Sequence, residues 1–296
     1  MKFEFMKNHA DKFSIEKMSK AFNVSRSGYY QFIHAEPSAR SKDDDRLLAL
    51  IKMIHQSSRS TYGSPRIHAE LHSQGETCSR KRVARLMKKA GIEAKMKKRF
   101  KVTTKANPKA KAAPNLLEQN FTATAPNQRW VADFTYVATG EGWLYVAIVL
   151  DLFSRKIVGL AMEERMTADL VIKALKQAIL HRNPKAGLIH HSDRGSQYTS
   201  QDFQALLFLY GFIASMSGTG NCFDNATAES YFHTLKTEHV YFEYYETREQ
   251  AKTSIFEYTW IFYNKKRRHS SLNYLSPDIF EKQWFQQQNF QLPNVH

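Results

Sequence analysis

Between residues 130 and 216 the chain alternates β-type apolar runs with amphipathic helical ones, and the first of these runs contains a carboxylate. Trp130-Val131-Ala132-Asp133-Phe134-Thr135-Tyr136-Val137 reads as a strand rich in β-branched and aromatic residues. Gly140-Glu141-Gly142 reads as a tight turn, with further strands over 143–150 and 156–162. Thr167 is placed to cap a helix reaching about residue 181, and a short strand follows at 188–191. Ser200 opens a helix to residue 210, a fifth strand covers 212–216, and helices follow at about 226–239 and 247–264. Three strands in a meander, followed by alternating helices and strands, predict a mixed five-stranded sheet with helices on its faces, an α/β core.

An ionised acid inside an apolar run is costly unless it is paired or bound to a cation. Asp133 lies mid-strand, Asp193 just past the fourth strand, and Glu229 one turn inside a helix, with 35 residues between the last two. Strands one and four can lie side by side at the centre of the sheet, and the ends of central strands are where open α/β folds place their sites. Carboxylates from separate elements suit Mg²⁺, and two such ions about 3.5–4 Å apart clamp the attacking and leaving oxygens of a phosphoryl transfer. Each acid also has an ordinary structural alternative. Asp133 could pair with Arg129 or Lys156, Asp193 could form an Asx-turn with Gly195, and Glu229 could simply favour a helix N-terminus. Asp151 reads as turn-forming and Asp224 as a helix cap.

Charge divides the chain. Residues 1–120 carry 26 Lys and Arg against 11 Asp and Glu, whereas 121–296 carry 17 of each, so the whole +15 lies in the first part. A basic arm joined to a neutral domain is the electrostatic footprint of phosphate binding. No apolar window is long enough to span a membrane and the N-terminus lacks a signal-peptide core, so a cytoplasmic protein is expected. Cys78 and Cys222 form no Cys-x-x-Cys pair and are read as free thiols, which excludes a disulfide framework or a cysteine-rich zinc finger.

Within the basic half, residues 13–32 read as two short helices broken near Asn23, a helix-turn-helix with Ser25 capping the second helix and Arg26, Ser27 and Tyr29 at its leading end. A linker covers 37–42, and Asp43-Asp44-Asp45 read as the solvated start of the next helix. Ser64 is placed to cap a helix that Gly75 ends, and Ser79 to cap another. That helix carries Arg80, Lys81 and Arg82 in its first turn, against its own dipole, with Arg85 on the same basic surface; a polyanion would compensate them, and DNA contact is expected. Residues 95–127 read as a basic linker, with Lys97, Lys98, Arg99 and Lys101 able to follow a phosphate backbone.

Three motifs carry a family resemblance: Pro126-Asn127-Gln128-Arg129-Trp130-Val131-Ala132-Asp133-Phe134-Thr135-Tyr136, His191-Ser192-Asp193-Arg194-Gly195-Ser196-Gln197-Tyr198, and Asp224-Asn225-Ala226-Thr227-Ala228-Glu229-Ser230. They resemble the catalytic core of bacterial insertion-sequence transposases of the retroviral-integrase-like superfamily. Tyr263-Asn264-Lys265-Lys266-Arg267-Arg268-His269-Ser270-Ser271-Leu272, followed by Pro277, resembles the C-terminal motif of the second-frame (orfB) products of two-frame elements. The resemblance implies a ribonuclease-H-like fold with Asp133, Asp193 and Glu229 as catalytic, metal-binding triad, two Mg²⁺ ions with Mn²⁺ able to substitute, and DNA cleavage and strand transfer by a freed 3′-hydroxyl. It also implies DNA contacts from Lys236 and from Arg267, Arg268 and His269, at least two chains on paired element ends, and an upstream-frame product as fusion or partner. The expected organisation is a helix-turn-helix over 1–36, a second helical DNA-binding unit over 37–94, a basic linker over 95–127, the catalytic core over 128–240 and a helical extension over 241–296. A retroelement-type integrase would share the acids but should carry a Cys/His zinc module, which this sequence lacks. A non-catalytic DNA-binding regulator would need only the basic half and would leave the spaced acids unexplained.

Overall fold

The computed structural model describes residues 1–36, 38–96, 113–118, 120–218 and 225–291. The expected contacts of Lys97, Lys98, Arg99 and Lys101, the Asp224 cap and the Cys222 thiol lie outside the described residues. Cys78 is a free thiol.

The first unit holds the two expected helices, α2 (Ile15–Phe22) and α3 (Arg26–His34), with Asn23 turning between them in the left-handed region at φ 50°. Ser25 caps α3 by accepting from the Gly28 N–H. A third helix, α1 (Lys2–Asn8), was not expected; its Met6 packs with Met18 and Tyr29 into a small separate core. Tyr29 is 2 % exposed, so it belongs to that core and not to a base-reading edge, while Arg26 and Ser27 remain exposed.

In the second unit α4 (Ala39–Ser57), α5 (Ser64–Ser73) and α6 (Arg80–Lys89) bury Leu47, Ile51, Ile54, Ile67, Leu71, Val83, Leu86 and Met87. Ser38 caps α4, so this helix begins inside the expected linker, and Asp43 to Asp45 lie beyond its first turn. Gly63, not Ser64, occupies the cap position of α5. Ser79 caps α6 as expected, accepting from the Arg82 N–H at 3.2 Å.

The five strands are β1 (Arg129–Thr139), β2 (Gly142–Asp151), β3 (Lys156–Glu163), β4 (Ile189–Ser192) and β5 (Ile213–Met216), ordered β3-β2-β1-β4-β5. β1, β2 and β3 form the antiparallel meander; β4 joins β1 in parallel and β5 joins β4. On one face Trp130, Ala132, Ala147 and Val149 pack beneath α7 (Ala168–Arg182) and α8 (Gln201–Leu209). A side chain at Gly159 of β3 would collide with the Ala174 carbonyl, so this glycine lets α7 sit directly on the sheet. On the other face Val131, Val137, Val146 and Ile148 meet α9 (Ala226–Glu238) and α10 (Arg248–Phe256) in a core shared with Leu47, Ile51 and Ile67 of the second unit.

The single helix expected over 247–264 is instead α10 continued by a π-helical segment, Glu257–Tyr263. A final helix, α11 (Pro277–Gln291), is anchored by Glu281, which is buried and accepts from Arg182 Nη1 and Nη2 at 2.8 Å each and from Ser154 Oγ at 2.7 Å. Arg182 also reaches Asp151, making this acid part of a buried ionic network as well as a turn former through the Phe153 N–H. No helix among the described residues is long and apolar enough to cross a membrane.

Candidate active site

β4 pairs with β1 through Arg129, Trp130 and Val131, and Asp133 follows beyond that paired stretch. Asp133 stands two residues past the last pair, half-buried, on the sheet face that carries Val131, Thr135 and Val137 and meets α9. Its Oδ1 accepts from the Phe134 N–H at 2.8 Å, and among the described residues it forms no ion pair with Arg129 or Lys156. Arg129 is directed to the Asn120 carbonyl, and Lys156 to Asp278 and Glu281.

Asp193 follows β4 directly. Its Oδ1 accepts from the Gly195 N–H at 2.9 Å, the Asx-turn that the sequence allowed. The strand end is pinned by buried His191, whose ring nitrogens lie 2.8 Å from Ser215 Oγ and 3.2 Å from Ser217 Oγ. Arg194 Nε donates to the Ser217 carbonyl at 2.7 Å.

Glu229 is exposed in the first turn of α9. Two bonds fix where that helix begins: Asn225 Nδ2 donates to the Ala132 carbonyl at 3.2 Å, and Arg155 Nη1 donates to Thr227 Oγ1 at 2.6 Å. Lys236, further along α9, donates to Thr135 Oγ1 at 2.6 Å and lies 5.3 Å from the centroid of the Tyr136 ring.

Burial and then the charge of Asp193 push the Asp133 pKa up to about 8; Glu229 adds to the rise, while the Phe134 N–H and Lys236 oppose it. Burial raises Asp193 against the Gly195 N–H, burial raises Glu229, and burial lowers Lys236 against the attraction of Asp133. Asp133 therefore feels the charge of both other acids, a like-charge arrangement that a cation would relieve. Among the described residues no three Asp, Glu, His or Cys side chains already close into a cage around one point.

The expected DNA contacts divide by environment. Arg26, Arg80 and Lys81 are exposed, and among the described residues none of the three forms an ion pair. Arg82 and Arg85, expected to face DNA, instead turn back on α4: Arg82 Nη2 lies 2.8 Å from Asp43 and 2.6 Å from Asp44, and Arg85 Nη2 lies 2.7 Å from Asp44. Asp43 and Asp44 are accordingly not a solvated helix start. The Arg267, Arg268 and His269 run is also internal, which departs from its expected place on DNA. Arg267 is 4 % exposed and ion-paired to Glu238, Arg268 is held by Glu70, Ser73 and the Tyr274 carbonyl, and His269 is buried, its pKa pushed well down by burial and by Arg267. Sequence reasoning missed Asn225 and Arg155; Asn225 stands four residues before Glu229, a spacing that the sequence displays.

The chain matches the integrase core domain family over residues 123–222 and again over 229–285, and an HTH-like domain over residues 42–100. An insertion element IS600 protein of 31 kDa from Shigella sonnei is 48% identical over 269 residues, covering 91% of this chain and 99% of the relative. Transposase InsF for insertion sequence IS3A from Escherichia coli (strain K12) is 39% identical over 283 residues, covering 95% of this chain and 98% of the relative. Among solved structures, the HTLV-2 integrase catalytic core domain in complex with magnesium aligns at a TM-score of 0.42 and 17% identity, over 54% of this chain and 99% of that chain. Full-length identity to these relatives, the matched domains and the β3-β2-β1-β4-β5 sheet together show that the chain belongs to the insertion-sequence transposases with a ribonuclease-H-like integrase core.

Proposed function

We propose that this transposase is a divalent-metal-dependent polynucleotidyl transferase whose catalytic triad is Asp133, Asp193 and Glu229. The observation that carries the reading is the charge gathered at Asp133, which stands past the β1–β4 pairing: burial and the two other acids push its pKa up to about 8, and Lys236 offsets it from within the chain. Hard, oxygen-only ligands drawn from separate elements fit Mg²⁺ or Mn²⁺. When bound, such ions polarise a scissile phosphate and activate the attacking oxygen.

The chain's own residues do the rest. Lys236, held by Thr135, meets a phosphate beside the acids, and Arg80 and Lys81 follow the duplex from α6. The α1–α3 unit offers Arg26 as a further contact. DNA choice thus falls to residues 1–94 and chemistry to 128–240, with 241–296 bracing both. Cleavage at the element's end frees a 3′-hydroxyl, which attacks a target phosphodiester in the same site, with at least two chains on paired ends and the upstream-frame product as fusion or partner. The test is end-labelled DNA carrying the element's termini incubated with Mg²⁺. Wild type should cut and join it and Asp193→Asn should do neither; equal products from both would sink the reading.

A further inference from the structure

Asn225 occupies the cap position of α9, where an Asn side chain ordinarily accepts from the helix's own N–H groups. It makes no such bond here. With φ −119° and ψ 19°, it turns instead to β1 and donates its amide to the Ala132 carbonyl, directly before Asp133. That bond fixes which end of the amide is the donor. The other end, Oδ1, is buried and among the described residues has no hydrogen-bond partner, in a residue that is 5 % exposed. Leaving a buried acceptor unmet costs about 1–3 kcal/mol, so it calls for an occupant.

The surroundings narrow the occupant's chemistry. Asn225 is tied to the residue before Asp133 and stands four residues before Glu229, so it links the two elements that carry these acids. A neutral donor could satisfy the amide oxygen but would leave Asp133 among like charges that Lys236 only partly offsets, whereas a hard cation satisfies the oxygen and the acids together. Amide carbonyl oxygens are ordinary ligands of such ions. We infer that Asn225 supplies a neutral oxygen to the cation site formed by Asp133, Asp193 and Glu229, while its amide nitrogen sets the start of α9 against β1. This rests on the metal-dependent reading above. Arg155, bonded to Thr227 in the first turn, steadies the same helix start.

The test is calorimetric titration of the DNA-free, full-length chain with Mn²⁺, alongside a melting curve for each variant. Asn225→Ala should weaken Mn²⁺ binding by at least about tenfold. Asn225→Asp keeps an oxygen in place and adds a negative charge for the cation while losing the donor to Ala132, so its affinity should match or exceed wild type. Folded Asn225→Ala with wild-type Mn²⁺ affinity, or folded Asn225→Asp unable to bind, overturns the inference; should Asn225→Ala fail to fold, the Asn225→Asp result decides. If Asp193→Asn abolishes binding and Asn225→Ala leaves it unchanged, the Asn225 assignment alone falls. If the wild type binds no Mn²⁺, both readings fall together.

Discussion

Arg267 grips Glu238 with two parallel bonds, Nε to Oε2 at 2.8 Å and Nη2 to Oε1 at 2.7 Å. Glu238 ends α9, the helix that carries Glu229 and Lys236, and it also receives Arg66 of α5 at 3.2 Å and the Tyr258 hydroxyl at 3.2 Å. One carboxylate thus joins the HTH-like unit, α9 and the C-terminal motif. Both side chains are under a tenth exposed. Arg267→Ala should therefore destabilise the chain by about 3–5 kcal/mol in urea unfolding, because it leaves a buried carboxylate without its main partner. Arg267→Lys should recover only part of this, since a lysine cannot reproduce the paired geometry. A loss below about 1 kcal/mol would show that the pair is not a brace.

The same pair sets a pH dependence. Burial pushes the Glu238 pKa up, but Arg267 and Arg66 outweigh it and hold it below its ordinary 4.5. A carboxylate with a lowered folded pKa gives stability that is present above the ordinary value and lost as pH falls through the folded one. The stability gap between wild type and Glu238→Gln should be widest above about pH 5 and should close on acidification below about pH 4. A gap constant from pH 7 to pH 3 would remove Glu238 ionisation as its source.

Asp43 and Asp44 hold Arg82 and Arg85 in ion pairs. Asp43→Asn with Asp44→Asn should tighten binding to duplex DNA and steepen the slope of log affinity against log salt by about two. In the wild-type background Lys81→Ala should cost more affinity than Arg82→Ala, because among the described residues Lys81 has no acid to leave. The reverse order in a fluorescence anisotropy titration would place Arg82, not Lys81, on the phosphates.

Burial and the charges of Asp193 and Glu229 raise the pKa of Asp133. Asp133→Asn should abolish strand cleavage and yet raise the melting temperature of the metal-free chain, by about 2–8 °C if the repulsion is worth about 1–3 kcal/mol. A lower melting temperature would make Asp133 a structural acid.

Much of the core was legible because its signals are local. Strand alternation around Asp133, the caps Ser25, Ser79 and Ser200, and the strand-helix order each depend on neighbours in sequence. What sequence missed depends on partners far along the chain. Arg267 resembles a DNA contact until Glu238, 29 residues away, is seen to hold it, and Arg82 until Asp43 and Asp44 are seen 39 and 38 residues away. Asn225 reads as a neighbour of a helix cap, and its partner, the Ala132 carbonyl, lies 93 residues away. The α1 helix carries no side-chain cap, and the π-helical segment replaces the last turns of an otherwise regular helical pattern. Neither leaves a local mark.

Metal rescue tests the central claim most directly. Asp193→Cys replaces a hard oxygen ligand with a sulfur, which Mg²⁺ disfavours and Mn²⁺ accepts better. On end-labelled element DNA this variant should be at least about a hundredfold slower than wild type in Mg²⁺ and should regain a measurable part of its cleavage in Mn²⁺. Equal activity in both metals at the wild-type rate, or wild-type cleavage that persists in excess chelator, would contradict a metal site at Asp193.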